Sequence, residues 1–87
     1  CMAVNDVFVM KAWGKASAVE DKVLMLADGN AEYSRALGLE LDATGFGMGI
    51  RGKRFAIIVE NGVAKQVLVE APGEFKVSSA DYVLSQL

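Results

Sequence analysis

Apolar and polar positions fall into blocks along this chain, and the block lengths separate strands from helices. Cys1-Met2-Ala3-Val4-Asn5 is a short apolar run that reads as a buried strand. Asp6 stands where a helix N-cap belongs, its carboxylate placed to accept from the free amides of the next turn, and residues 7–15 read as helix. Val9 and Met10 each share a face with Trp13 at helical spacing, which makes Trp13 a core or interface anchor. Gly14 and the polar run 17–22 end that helix. The apolar run 23–27, closed by Asp28-Gly29, is short enough for a second buried strand, so a βαβ unit is expected.

Residues 30–37 predict another short helix, with Tyr33, Ala36 and Leu37 along one side and Gly38 placed for a left-handed cap. Residues 39–49, punctuated by Gly45, Gly47 and Gly49, read as an irregular loop. The clearest local signal follows: two β-rich runs, 55–60 and 63–70, flank Asn61-Gly62 and predict a hairpin with a type I′ turn. Residues 55–59 are apolar on both faces, as in a central strand covered from both sides, whereas Lys65 and Gln66 put the partner strand nearer an edge. Ala71-Pro72-Gly73 breaks the sheet. Ser78-Ser79-Ala80-Asp81 then opens a last helix whose apolar side carries Ala80, Val83, Leu84 and Leu87. The expected order is β-α-β-α-β-β-α, in one domain over residues 1–87, without repeat or linker.

Composition narrows the chemistry. A chain of 87 residues is marginal as an independent fold, since it buries only about 60% of the surface its unfolded form exposes. At 53% hydrophobic it resembles a piece of a larger core. No apolar run approaches the roughly 20 residues that span a bilayer, so no membrane partner is expected. Nine Lys+Arg against 11 Asp+Glu, with only Arg51, Lys53 and Arg54 grouped, argue against nucleic acid. The absence of histidine removes the commonest general base and metal ligand. A single cysteine, Cys1, forms no internal disulfide. Glu32, Glu40, Asp42 and Glu60 are scattered surface acids without metal-ligand company. The Gly45-Phe46-Gly47-Met48-Gly49 run is no dinucleotide fingerprint, because it precedes a strand where that motif needs a helix. Neither a metal nor an organic cofactor is expected.

Several blocks, in order and without a large gap, carry a resemblance. Residues 4–13, Leu26-Ala27-Asp28-Gly29, residues 36–42, Lys53-Arg54-Phe55-Ala56, Asn61-Gly62 and Val77-Ser78-Ser79-Ala80-Asp81 closely resemble the atypical type II peroxiredoxins, the branch related to mammalian peroxiredoxin five. The resemblance implies an α/β, thioredoxin-like fold of which this chain is the C-terminal part. It implies a thiol-dependent peroxidase that reduces hydrogen peroxide and alkyl hydroperoxides through a cysteine thiolate. That cysteine sits, in the family, in a Pro-x-x-x-Thr-x-x-Cys loop upstream of the strand matching residues 1–5, so the span is expected to be N-terminally truncated and inactive alone. A homodimer of cytoplasmic residence, the latter only for want of targeting features, completes the expectation.

Taken by itself, Arg54 is an arginine that either caps a sheet end or pairs with a surface acid; the resemblance makes it instead the active-site arginine, aimed at the thiolate and the peroxide oxygens. Guanidinium suits that role because it stays protonated and donates several fixed hydrogen bonds. Arg51 and Lys53 read as solvated charges. Cys1 matches the second, strand-borne cysteine of many type II members, and reads either as a buried small hydrophobe or as a redox thiol. Phe8 and Trp13 are core residues, or contacts on the site side or at a dimer interface. Where some relatives place a resolving cysteine near the last helix, this chain has Ser78 and Ser79, which favours an external thiol, glutathione with glutaredoxin or thioredoxin, as reductant. Val7 replaces the family's usual proline at the first helical position. The competing expectation is a non-catalytic thioredoxin-like assembly module.

Overall fold

A computed structural model describes residues 1–87, which form two compact units, Cys1–Gly52 and Lys53–Leu87. In the first, β1 (Met2–Ala3) pairs in parallel with β2 (Leu26–Ala27), and α1 (Val7–Ala16) makes the crossover. That is the expected βαβ unit. Asp6 caps α1 by accepting the Val9 amide at 2.8 Å. Gly14 does not end the helix, which runs on to Ala16. It is a packing notch instead: a Cβ there would lie 3.0 Å from Met25 Cγ and 3.3 Å from Val19 Cγ2.

The strand expected at 23–27 shrinks to Leu26–Ala27, and Leu24 is exposed. α2 (Glu32–Ala36) is capped from a distance: Asp28 accepts the amides of Tyr33 and Ser34 and the Ser34 hydroxyl, at 3.1, 2.9 and 2.8 Å. The expected apolar side of this helix is largely solvent-facing, and its buried residue is Ser34, at 1% exposure. The irregular loop expected at 39–49 is in fact half sheet. β3 (Glu40–Asp42) and β4 (Ile50–Gly52) pair antiparallel, with Leu41 opposite Arg51. Between them a helical turn, Thr44–Phe46, is opened by Asp42 accepting the Thr44 amide at 3.0 Å. The glycines flagged the loop and hid the two short strands on either side of it.

In the second unit β5 (Phe55–Glu60) and β6 (Val63–Val69) form the expected hairpin, with Asn61 and Gly62 at φ of 52° and 76° as a type I′ turn requires. The ladder is not regular. Glu60 faces Val63 and Val59 faces Ala64, but Ile58 faces Gln66, so Lys65 is left without a partner in a bulge. β5 pairs only with β6, and its residues are half-buried at best, not covered from both sides. α3 (Ala80–Ser85) starts at Ser79, whose hydroxyl accepts the Tyr82 amide at 3.2 Å, while Leu84 and Leu87 of its expected apolar side are exposed.

Few side chains are fully enclosed. Val4, Met10, Ala31, Leu39 and Ala43 make up the buried apolar set of the first unit, and large apolar groups elsewhere find no second layer to pack on. No helix is long and apolar enough to cross a membrane.

Candidate functional site

The open end of the β5–β6 hairpin is where charge, burial and hydrogen bonding converge. One rung beyond Phe55 and Val69, the Glu70 amide donates to the Arg54 carbonyl at 3.0 Å, so the ladder continues to Arg54 although that residue precedes β5. Period-two alternation along β6 turns Gln66, Leu68 and Glu70 inward, and Glu70 is buried at 8% exposure.

A buried carboxylate needs donors, and this one finds them in the returning loop. The chain reverses at Ala71-Pro72-Gly73, with the Glu74 amide bonded to the Ala71 carbonyl at 3.0 Å. Glu70 Oε2 then accepts the Lys76 amide at 2.7 Å, the Ser78 amide at 2.8 Å and the Ser78 hydroxyl at 2.6 Å. Burial alone would raise the carboxyl pKa, but donation from the Ser78 hydroxyl and the amides of Ser78, Lys76 and Val77 outweighs it and holds the group below the ordinary glutamate range. Glu70 is therefore a fixed anion that ties both ends of the loop together.

Phe75 lies in that loop, and the Arg54 guanidinium carbon sits 4.3 Å from the centroid of its ring. Arg54 takes part in no ion pair; the unit's salt bridge joins Lys76 to Glu74 at 3.6 Å, between exposed side chains. Of the two bare readings, Arg54 does stand at the sheet end, whereas no surface acid pairs with it. A guanidinium held over an aromatic ring, with no ion pair, keeps its N–H donors for other acceptors. Chemically, such a group can bind an oxyanion or a peroxide oxygen and can lower the pKa of a thiol brought to it.

The remaining candidates, Lys53 apart, fall in the first unit. Arg51, expected to be solvated, is a structural clasp: its Nη2 donates to Asn5 Oδ1 at 2.7 Å, and the Asn5 amide group in turn lies 3.8 Å from the sulfur of buried Met10. Lys53, in the second unit, is exposed as expected. Cys1 is neither buried nor within a strand; it precedes β1 with its side chain exposed, because the strand starts at Met2 and its amino group donates to the Leu24 carbonyl at 2.8 Å. Phe8, at 80% exposure, and Trp13 both lie on the surface of α1 and are not core residues of this unit.

Sequence reasoning missed Glu70 and Phe75. In the sequence Glu70 ends a β-rich run; the signal for more is its place in phase with Leu68, followed by a Pro-Gly turn and a pair of serines. Asp28, which closes the apolar run, also has a role not expected of it, as the acceptor for Ser34 and the start of α2. The Ser34 amide, ahead of burial, which opposes it, dominates the lowering of the Asp28 pKa, with the Ser34 hydroxyl and the Tyr33 and Glu32 amides adding to it.

Comparison with known proteins gives the site a context. A family model described as Redoxin matches residues 1–84. Peroxiredoxin-2C of Arabidopsis thaliana is 49% identical over 87 residues, which cover 100% of this chain and 54% of that protein. The crystal structure of reduced Prx3 from Vibrio vulnificus is similar at a TM-score of 0.89 and 53% identity, covering 98% of this chain and 54% of that one. The same Prx3 in complex with H2O2 gives a TM-score of 0.89 at 53% identity, over 98% of this chain and 52% of that one. The chain thus spans about half the length of the relatives it matches.

Proposed function

For a chain that belongs to the redoxin family and shares its thioredoxin-like α/β fold, we propose that the polypeptide carrying it is a thiol-dependent peroxidase in which Arg54 is the catalytic arginine. The observation that carries the reading is the state of that side chain: anchored by its own carbonyl to Glu70, stacked on Phe75, and free of any ion pair that would consume its charge. The relatives' names, and an H2O2 complex of one of them, support peroxide as substrate.

The chemistry needs a thiolate contributed outside these residues. Its sulfur attacks one peroxide oxygen, the O–O bond breaks, the sulfur becomes a sulfenic acid, and the second oxygen leaves as water or an alcohol once protonated. Negative charge moves from sulfur to the departing oxygen during that step. Arg54 stabilises both ends of the transfer, holding the thiolate before it and the oxygen's charge after it, without moving a proton. Hydrogen peroxide and alkyl hydroperoxides are the substrates on this reading. Two external thiol groups, from glutathione with glutaredoxin or from thioredoxin, return the sulfenic acid to the thiol, release water and leave as a disulfide. Ser78 and Ser79, whose hydroxyls serve the loop and the cap of α3, support an external reductant over a resolving thiol there. Resemblance to the type II branch and a homodimeric assembly using the exposed Phe8 and Trp13 belong to the same proposal.

The test is peroxide consumption by the whole polypeptide with and without Arg54→Ala. Loss of about a hundredfold or more in kcat/KM is expected from removing a preorganised donor. A loss of only a few-fold would sink the role given to Arg54.

A further inference from the structure

We infer that Phe75 and Glu70 are positioning residues for Arg54: Phe75 sets the plane of the guanidinium, and Glu70 fixes both the Arg54 backbone and the loop that carries Phe75. The inference rests on the catalytic reading of Arg54 and deepens it.

An arginine at a strand start has four side-chain torsions to lose before its donors point anywhere in particular. In this chain that freedom is restricted from two directions by one residue. Through its amide, 3.0 Å from the Arg54 carbonyl, Glu70 sets where the Arg54 side chain begins. Through Oε2, which takes three donors from Lys76 and Ser78, it sets where the Phe75 ring stands, because Phe75 immediately precedes the first of those donors. The ring lies 4.3 Å from the guanidinium carbon. Phe75 is itself 61% exposed, so burial of apolar surface does not account for its place; the cation above it does. The division of labour also explains why Glu70 opposes Arg54 on the ladder yet forms no salt bridge with it. A carboxylate paired to Arg54 would neutralise the charge that the reaction uses, whereas one saturated by amides and a hydroxyl holds the geometry and leaves the cation free.

The experiment uses the whole polypeptide and four variants, Phe75→Leu, Phe75→Tyr, Arg54→Ala and the double variant Arg54→Ala with Phe75→Leu. Readouts are kcat/KM for hydrogen peroxide and the pKa of the reactive thiol, from the pH dependence of its alkylation rate. Losing the ring's attraction for the cation should lower kcat/KM by about two- to fivefold and raise the thiol pKa in Phe75→Leu. Phe75→Tyr should restore both, and Phe75→Leu should change nothing further once Arg54 is alanine. Equal slowing by Phe75→Leu with and without Arg54, or no slowing at all, would overturn the inference while a large Arg54→Ala effect kept the catalytic reading intact. A small Arg54→Ala effect would remove both. Ser78→Ala, which deletes the 2.6 Å donor to Glu70, should reproduce the Phe75→Leu pattern in the same cycle, and independence from Arg54 there would remove Glu70 from the assignment.

Discussion

Glu70 faces Arg54 across the open end of the hairpin and binds it by the main chain alone, amide to carbonyl at 3.0 Å, while its carboxylate is turned to Lys76 and Ser78. An acid and a base that share a rung thus remain chemically separate.

The loop should loosen in acid. Glu70 has its carboxyl pKa lowered in the folded chain, so its contribution is fully present above the ordinary glutamate value of 4.5 and is lost as pH falls through the lower folded value. Hydrogen exchange at the Lys76 and Ser78 amides should therefore show protection that is constant from neutral pH down to that range and then declines. Glu70→Gln should flatten the dependence. Asp28, lowered in the same sense from 3.8, predicts a parallel decline at the Tyr33 and Ser34 amides.

Met10 is the largest fully buried side chain, and Met10→Ala should destabilise the protein by about 2–5 kcal/mol in urea unfolding. A cost under about 1 kcal/mol would mean that the space closes around the smaller residue.

Gly62 holds φ at 76° in the hairpin turn, where a Cβ meets nothing but the backbone itself resists one. Gly62→Ala should cost about 1 kcal/mol, read from the shift of the denaturant midpoint, and, on the proposed role of Arg54, leave peroxide turnover by the whole polypeptide unchanged, because the turn lies at the far end of the hairpin from Arg54.

Ser79→Ala removes the cap of α3 and should likewise cost about 1 kcal/mol without altering the peroxide rate constant. A large rate effect from this variant would mean that the loop and the helix start act as one body.

The local grammar of the chain was readable wherever one residue type has one backbone consequence. Asn61-Gly62 determined the hairpin, Asp6 and Ser79 determined two helix starts, and Asp28-Gly29 closed the parallel pair. Misreadings arose where a residue's meaning depends on its neighbours in space. Gly14 looked like a helix stop and is a notch for Met25; three glycines suggested a loop where two strands meet around a turn. Arg54 could be named from the resemblance, but its partner could not, since a phenylalanine 21 positions along the chain and an acid 16 along become neighbours only once the hairpin and loop are folded. For Cys1 and Trp13 the interior alternative that hydropathy offers does not hold, since both lie at the surface.

Lys65 bears on all of this from the opposite strand end. Had it occupied a place in the ladder, every residue after it would be counted one step earlier: Ile58 would meet Lys65, and Arg54 would meet Val69. Alternation would then swing the Glu70 carboxyl to the outer side, out of reach of the loop amides. By standing aside, a lysine distant from both brings Glu70 into line with Arg54, so the slip of a single position near the tip selects which pair meets at the base.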